Sequence, residues 1–481
     1  MKKINETVKS KSYPVRLLQF GEGNFLRGFI DQMIDVSNEA GVTDIGIVMV
    51  KPRSGALNSA FKEQEFKYTV SLRGLTGDSP VTRERIITSV SDVISCYDDH
   101  ERFMEYAVSD DLRFIVSNTT EAGIVFDEND RMDMDPPDSF PGKLTKLLYA
   151  RYKHFNGDRD KGLIILPLEL ISNNARVLES CVKKLADTWG IEAGFTGWLD
   201  EACIFCNTLV DRIISGYPYD EADKLREEWG YEDRLTVCGE LFGLFIIEGD
   251  ERVMKELPLD KAGLPVKYVK NIVPYKTRKV RILNGAHTGF SLWSYLKGHD
   301  TVLESMEDKE VWDFVNRLLF DEVIPTIELD EKELKSFARD VLSRFRNPFI
   351  RHELRSIALN SISKWRARLL PTMLDFIDLK GELPPCIVDS LAALLLYYRG
   401  STDSGSGYAG SRTVNGRREE YEIMDDQSVI SFLKQHEKDD VDGYIGSVLS
   451  NADFFGTDLL SIKGLKEAVT ESYLKLNKAC G

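Results

Sequence analysis

Short unbroken apolar runs alternate with helically spaced stretches through the first half of the chain, whereas the second half holds mostly helical spacing. Val15 to Phe20 (VRLLQF), Ile45 to Val50 (IGIVMV), Arg113 to Ser117 (RFIVS) and Leu163 to Leu166 read as strands covered on both faces, which need not alternate. Lys67 to Leu72 alternates like a strand with one open face. Between the first two runs lies GEGNFLRGFIDQMIDVSNEAG, apolar at helical intervals. Strand, helix and strand in this order predict an α/β domain built on a parallel sheet. After Lys276 come VWDFVNRLLFDEVIPTIEL, LKSFARDVLSRFRNPFI, HELRSIALNSISKWRARLLPTMLDFI and CIVDSLAALLLYYRG, which predict a mostly α-helical domain. The boundary is placed near Pro274, giving domains at 1–275 and 276–481. The Gly- and Ser-rich STDSGSGYAGSRTVNGRREEYE reads as a flexible surface insertion.

At 481 residues the chain exceeds one ordinary core, so two large domains are expected. A net charge of -16 argues against nucleic acid as the main partner while leaving room for a local basic pocket. The start, MKKINETVKSKSYPV, has no signal-type apolar stretch, and no later run approaches the roughly 18 apolar residues of a membrane span. The expectation is a soluble cytoplasmic protein without a membrane partner. Seven scattered cysteines, an odd number, favour reduced thiols. Cys203 and Cys206 form a lone CxxC with no second pair, which reads as packing, and no metal site is expected.

Chemistry is first suggested at Gly21 and Gly23, where VRLLQF gives way to helical spacing. In the G-x-G-x-x-G dinucleotide fingerprint the first glycine permits the turn and the second lets backbone approach a pyrophosphate. The helix opened by Asn24 and Phe25 then aims its N–H groups at the phosphates. Leu26 stands at the third glycine position, with Gly28 available for helix packing two residues later. A lone GxG serves a simple turn about as often, but IGIVMV lies at the distance a βαβ unit needs. The acid that would hold the adenosine ribose is absent after IGIVMV; Lys51, Pro52, Arg53 and Ser54 stand there, which by the general rule suits a ribose phosphate and NADP. Thr120, Glu121, Glu169 and Asn173 follow the later strands, where an open α/β sheet places its ligand, although Asn173 equally suits a helix cap.

The stretch from Pro274 to Asp300 offers Lys279, Asn284 and His287 together as K-x(4)-N-x(2)-H. At about 100° per residue, Asn284 and His287 lie about 60° apart around a helix and Lys279 about 80° from His287, so the three can address one pocket. A desolvated lysine can exchange a proton with an alcohol while Asn and His hold the oxygen. Flanking Arg278 and Arg281 are expected to lower the lysine pKa. The plain alternative is a solvated basic helix start, an Asn-Gly turn and a structural histidine. Arg346, Arg351, His352, Arg355, Lys364, Arg366 and Arg368 crowd one further segment, which is either a solvated face or a site for an anionic substrate such as a carboxylate.

GEGNFLRGFID, SNTTEAGI, LPLELISNN, NTLVDRI, TRKVRILNGAHT, DTVLESMED and RNPFIRHELRSIALNSISKW together resemble the polyol-specific long-chain dehydrogenases, the mannitol dehydrogenase family, from about Val15 to Leu370. The resemblance implies a Rossmann-like N-terminal domain, a helical C-terminal domain and metal-independent hydride transfer between a nicotinamide dinucleotide and a sugar acid or polyol, in the cleft between domains. It implies Lys279 as catalytic acid and base, Asn284 and His287 as holders of the reacting oxygen, and Gly21 and Gly23 at the nucleotide. Lys364, with Arg355 and Asn173, would face substrate, as would Glu169, which stands where sugar-alcohol members usually carry asparagine. Glu240, Leu241 and Phe242 replace the usual Glu-Pro-Phe. The implied cofactor is NAD, with NADP left open by Lys51 and Arg53.

Overall fold

A computed structural model describes residues 1–9, 11–77, 79–119, 122–402 and 407–480. The chain divides into two compact units, Met1–Ile272 and Val273–Gly481. In the first, six strands form one sheet: β1 (Val15–Phe20), β2 (Gly46–Lys51), β3 (Val90–Ser95), β4 (Phe114–Ser117), β5 (Ile164–Pro167) and β6 (Ile204–Phe205). All pairings are parallel and the order across the sheet is β3-β2-β1-β4-β5-β6, the doubly wound Rossmann arrangement. In the middle, Leu18 of β1 stands opposite Val48 of β2 and Ile115 of β4. Leu17 packs into the apolar layer on one face of the sheet and Leu18 into the layer on the other. That double burial explains why these strands read as continuous apolar runs.

Two smaller sheets complete the unit. Tyr68–Thr76 pairs antiparallel with Ser79–Ile87 and parallel with Val237–Glu240, which also pairs with Ile214–Gly216. Leu244–Glu248 lies between Thr208–Asp211 and Val266–Val269. Arg212 is buried between these pieces and donates to the carbonyls of Gly28 (3.0 Å) and Phe242 (2.9 Å). Buried Asn207 accepts from Ala175 N–H (3.1 Å) and donates to Glu248 (3.3 Å). Cys203 and Cys206 are buried free thiols, each pushed up to about 12 by burial.

The second unit is organised on the helix Gly285–Leu296, which packs against Lys309–Arg317, Leu354–Ala358, Ser361–Arg368 and Pro385–Tyr397. Ten of its twelve residues are buried, and each large apolar side chain so covered contributes roughly 1.5–3 kcal/mol. Gly289 lets Leu318 approach closely. Of the expected flexible insertion, residues 403–406 lie outside the described residues, and the part from Ala409 on is corrected by a β-hairpin, β7 (Ala409–Val414) and β8 (Arg417–Glu422), in antiparallel register from Ala409↔Glu422 to Val414↔Arg417. Its turn is Asn415-Gly416, with φ of 51° and 73°, the pair of positive φ values that matches the twist of a two-residue hairpin. Buried Arg412 anchors it, donating to the carbonyls of Tyr295 (3.1 Å) and His299 (3.0 Å) and to Asp300 (2.6 Å). Among the described residues no helix is long and apolar enough to cross a membrane.

Candidate active site

In the first unit the turn after β1 is shaped by two glycines with different tasks. Gly21 has φ +128°, which an L side chain rarely adopts, and its N–H donates to the Val50 carbonyl at 2.9 Å. Gly23 is extended and starts a helical stretch: α-helical Asn24–Leu26, a π turn over Arg27–Asp31, then α-helical Gln32–Glu39. No side chain caps that start among the described residues, and a Cβ on Gly23 would meet nothing within 4 Å. At Gly28, in contrast, a Cβ would meet Ile214 at 2.7 Å and Val237 at 3.1 Å, so this glycine serves close packing of helix on sheet. An open approach at the second glycine, with helix N–H groups behind it, fits a dinucleotide pyrophosphate. Asn24 is exposed and accepts from Arg27 (2.6 Å), while Phe25 stacks on Phe29 with ring centroids 5.1 Å apart.

Beyond β4 and β5 the predicted residues part company. Glu169 is buried and its carboxylate accepts from Ser117 Oγ (3.0 Å) and from Thr119 N–H and Oγ1 (both 2.9 Å). Burial raises its pKa above the usual carboxylate value against the pull of those donors. It clamps the ends of β4 and β5 together. Asn173 is exposed in the left-handed region (φ 55°, ψ 44°) and, although at the N-cap of Asn174–Thr188, makes no capping bond. Asparagine is among the few non-glycine residues that adopt this conformation readily, as Asn156, Asn360 and Asn415 also do here. The neighbouring Asn174 does the structural work, donating to the Pro167 carbonyl (2.9 Å) and accepting from Thr208 N–H (3.1 Å). Thr120 and Glu121 lie outside the described residues.

In the second unit Lys279–Asn284 is a π turn between the α-helical Val273–Arg278 and Gly285–Leu296. Gly285 N–H reaches the carbonyl of Val280, five residues back. This changes the geometry expected from α-helical spacing. Residues five apart on an α-helix stand about 140° apart, whereas a turn closed by i→i+5 bonds brings Lys279 and Asn284 toward one side. Both are half-buried. Of the two cations beside the lysine, Arg278 is buried against Glu333 (2.6 Å), and Arg281 pairs with Asp375 (2.6 Å) and donates to the Thr326 carbonyl (3.0 Å). A carboxylate offsets each cation.

His287, one turn further, is held by rings. It stacks on Phe345 at 4.3 Å and meets His352 edge-on at 5.0 Å. Its Nε2 is buried without a hydrogen-bond partner among the described residues. Burial, then His352, Arg344, Arg368 and Lys364, hold its pKa well below the usual histidine value, so the ring is neutral near pH 7. An orphaned buried polar atom among cations suits a negatively polarised oxygen on a ligand.

The basic run is thereby divided. His352, Lys364 and Arg368 act on His287; Lys364 donates to the Ile357 carbonyl (2.9 Å) and Arg368 to Thr288 Oγ1 (3.0 Å). Arg346 lies over Trp312, Arg351 pairs with Glu353 and Arg366 donates to the Asp453 carbonyl. Arg355 is exposed and lines a cavity of about 420 Å³ with Leu359, Tyr397 and Met424, which are not among the groups acting on His287. Arg344, absent from the expected set, joins the cluster from the end of the helix Glu331–Phe345. Its one signal in the sequence is the adjacency of Arg344 and Phe345, which contacts His287. Among the described residues no group of three or more His, Cys, Asp or Glu side chains converges to hold a metal ion.

Comparison with known proteins covers both units. A family model for the mannitol dehydrogenase Rossmann domain matches residues 15–261, and one for the mannitol dehydrogenase C-terminal domain matches residues 271–477. The chain is 42% identical over 474 residues to an altronate oxidoreductase of Bacillus subtilis (strain 168), covering 98% of this chain and 94% of that protein. It is 43% identical over 465 residues to an altronate oxidoreductase of Enterobacter sp. (strain 638), covering 95% and 93%. Among solved structures, substrate-free D-sorbitol dehydrogenase shares the fold with a TM-score of 0.80 at 21% identity over 100% of both chains. Pseudomonas fluorescens mannitol 2-dehydrogenase, solved as a ternary complex with NAD and D-mannitol, gives 0.66 at 20% identity over 99% and 96%. A Rossmann unit with an open glycine turn, a helical unit carrying lysine, asparagine and histidine, and family matches to each together place the chain in the mannitol dehydrogenase family.

Proposed function

We propose that the protein catalyses the reversible, metal-independent reduction of D-tagaturonate to D-altronate with NADH. The observation that carries this reading is the Nε2 of His287, buried without a hydrogen-bond partner among the described residues and surrounded by Arg344, His352, Lys364 and Arg368. A neutral polyol has no need of three cations, Arg344, Lys364 and Arg368, beside its reacting carbon, whereas a sugar acid brings a carboxylate for them to bind. The relatives named altronate oxidoreductase, similar over nearly the whole chain, support the same substrate class.

The dinucleotide, when bound, supplies the hydride that adds to the keto carbon. Lys279, as its ammonium form, gives a proton to the carbonyl oxygen, so that ketone, hydride and proton together become the alcohol. Neutral His287, through Nε2–H, and Asn284, through its amide, donate to the same oxygen as negative charge develops there. Donors fixed before the reaction in a water-poor site lower such a barrier by several kcal/mol, typically about 3 for one donor. In the oxidising direction neutral Lys279 takes the proton back from the alcohol.

The test is the ratio of kcat/KM for D-tagaturonate to that for D-tagatose, in which a hydroxymethyl group replaces the carboxylate, with D-fructuronate and D-fructose run beside them. A preference of roughly a hundredfold or more for the acid is expected from charge-assisted recognition. A preference for D-fructuronate would move the substrate to a sister sugar acid. Equal or better turnover of the neutral ketoses would overturn the reading.

A further inference from the structure

The acid that holds the adenosine ribose in NAD-binding Rossmann folds normally ends the second strand. Here β2 ends at Val50-Lys51 and runs into Pro52-Arg53, a sequence that by itself predicts NADP. The structure brings an acid to this place by another route. Gly21 N–H donates to the Val50 carbonyl at 2.9 Å, which laces the glycine turn to the end of β2. Gln19 Nε2 donates to the Gly21 carbonyl at 3.1 Å, and Arg27 Nε to the Glu22 carbonyl at 3.2 Å, so the turn is held from both sides. Glu22, between the two glycines, is thus set beside the end of β2, with its Oε1 3.2 Å from Lys51 Nζ. Both side chains remain partly accessible, 27% for Glu22 and 19% for Lys51.

We propose that Glu22 takes the role of the missing acid, accepting a ribose hydroxyl and engaging Lys51, so that the turn selects NADH over NADPH. The inference rests on the reading of this turn as the dinucleotide site. A carboxylate at that spot accepts the 2′-hydroxyl of NADH and repels the 2′-phosphate of NADPH, while Lys51, already engaged, has less charge to offer a phosphate. A partly buried ion pair with a purely structural task is the plain alternative. It would contribute little to folding and would leave nucleotide choice untouched.

The two accounts separate in equilibrium binding of NADH and NADPH, measured by calorimetry on the full-length protein without substrate. Wild type is expected to bind NADH at least about tenfold more tightly than NADPH. Glu22→Gln, which removes the charge and keeps the shape, is expected to tighten NADPH by about tenfold and to weaken NADH by a few-fold. Lys51→Met is expected to give no NADPH gain, and the double variant to lose most of the gain of Glu22→Gln. A wild type indifferent to the 2′-phosphate, or a Glu22→Gln protein whose NADH to NADPH ratio stays within about twofold of wild type, would overturn the role of Glu22 while leaving the dinucleotide site in place. Binding of neither nucleotide by folded wild type would remove the site reading, and this inference with it.

Discussion

Asp31 shows how far one buried side chain can depart from its ordinary behaviour. It lies in the π turn after Phe25, fully covered, accepting from Tyr68 Oη at 2.6 Å, while its Oδ1 and Gln19 Oε1 have no partner among the described residues. Burial raises its pKa to about 7, and a proton on Asp31 gives that cluster the donor it lacks. Between about pH 4 and 7 the folded protein keeps a proton that the unfolded chain has released, so stability falls as pH rises through this window and the contribution is gone above about 7. Asp31→Asn keeps an acceptor for Tyr68 and carries no charge at any pH. Relative to wild type it should gain about 1–3 kcal/mol of unfolding free energy between pH 5 and pH 8, measured by urea titration. An equal difference at both pH values would contradict the assignment. Lys279, Asn284 and His287 stand out in the sequence as candidates because three chemistry-bearing residues lie at close spacing. The Nε2 of His287, without a partner among the described residues, was not legible there, since orphaning depends on what the fold brings near it and what it withholds.

Among the elements, the buried parallel strands were easy to read because both faces are covered and the runs are apolar throughout. The π turns at Arg27–Asp31 and Lys279–Asn284 were not, because an extra residue in a turn leaves the apolar pattern almost unchanged while shifting the side chains after it. The hairpin β7 and β8 was misread for a different reason. Asn415-Gly416 between Val414 and Arg417 is a strong local hairpin signal, but the Gly- and Ser-rich composition before it was given more weight. Backbone conformation at that turn can be isolated, because a Cβ on Gly416 would meet nothing within 4 Å and φ is +73°. Gly197 is equally open but sits inside the helix Ala193–Ala202. Gly416→Ala should therefore cost about 1–2 kcal/mol, whereas Gly197→Ala should stabilise by about 0.5–1 kcal/mol. Denaturant unfolding of the two variants would contradict this account if both changes had the same sign.

On the scale of the whole molecule, a chain of net charge -16 gathers three cationic side chains, Arg344, Lys364 and Arg368, around one histidine. General repulsion of anions by the surface makes such a local cluster the natural place for an anionic substrate to bind, and lends its binding a salt dependence. The two-domain pattern was legible because strand runs and helical spacing change near one place in the chain. Division of the basic run was not, because Arg346, Arg351 and Arg366 differ from Arg368 only in the partners the fold gives them. The most direct measurement is NADH oxidation by the purified protein with D-tagaturonate, wild type against Lys279→Ala, alongside NADH binding to both. The account predicts turnover in wild type that falls by about a hundredfold to ten-thousandfold in the variant, with NADH affinity unchanged. Undiminished turnover in the variant, or no oxidation of NADH by folded wild type, would contradict it.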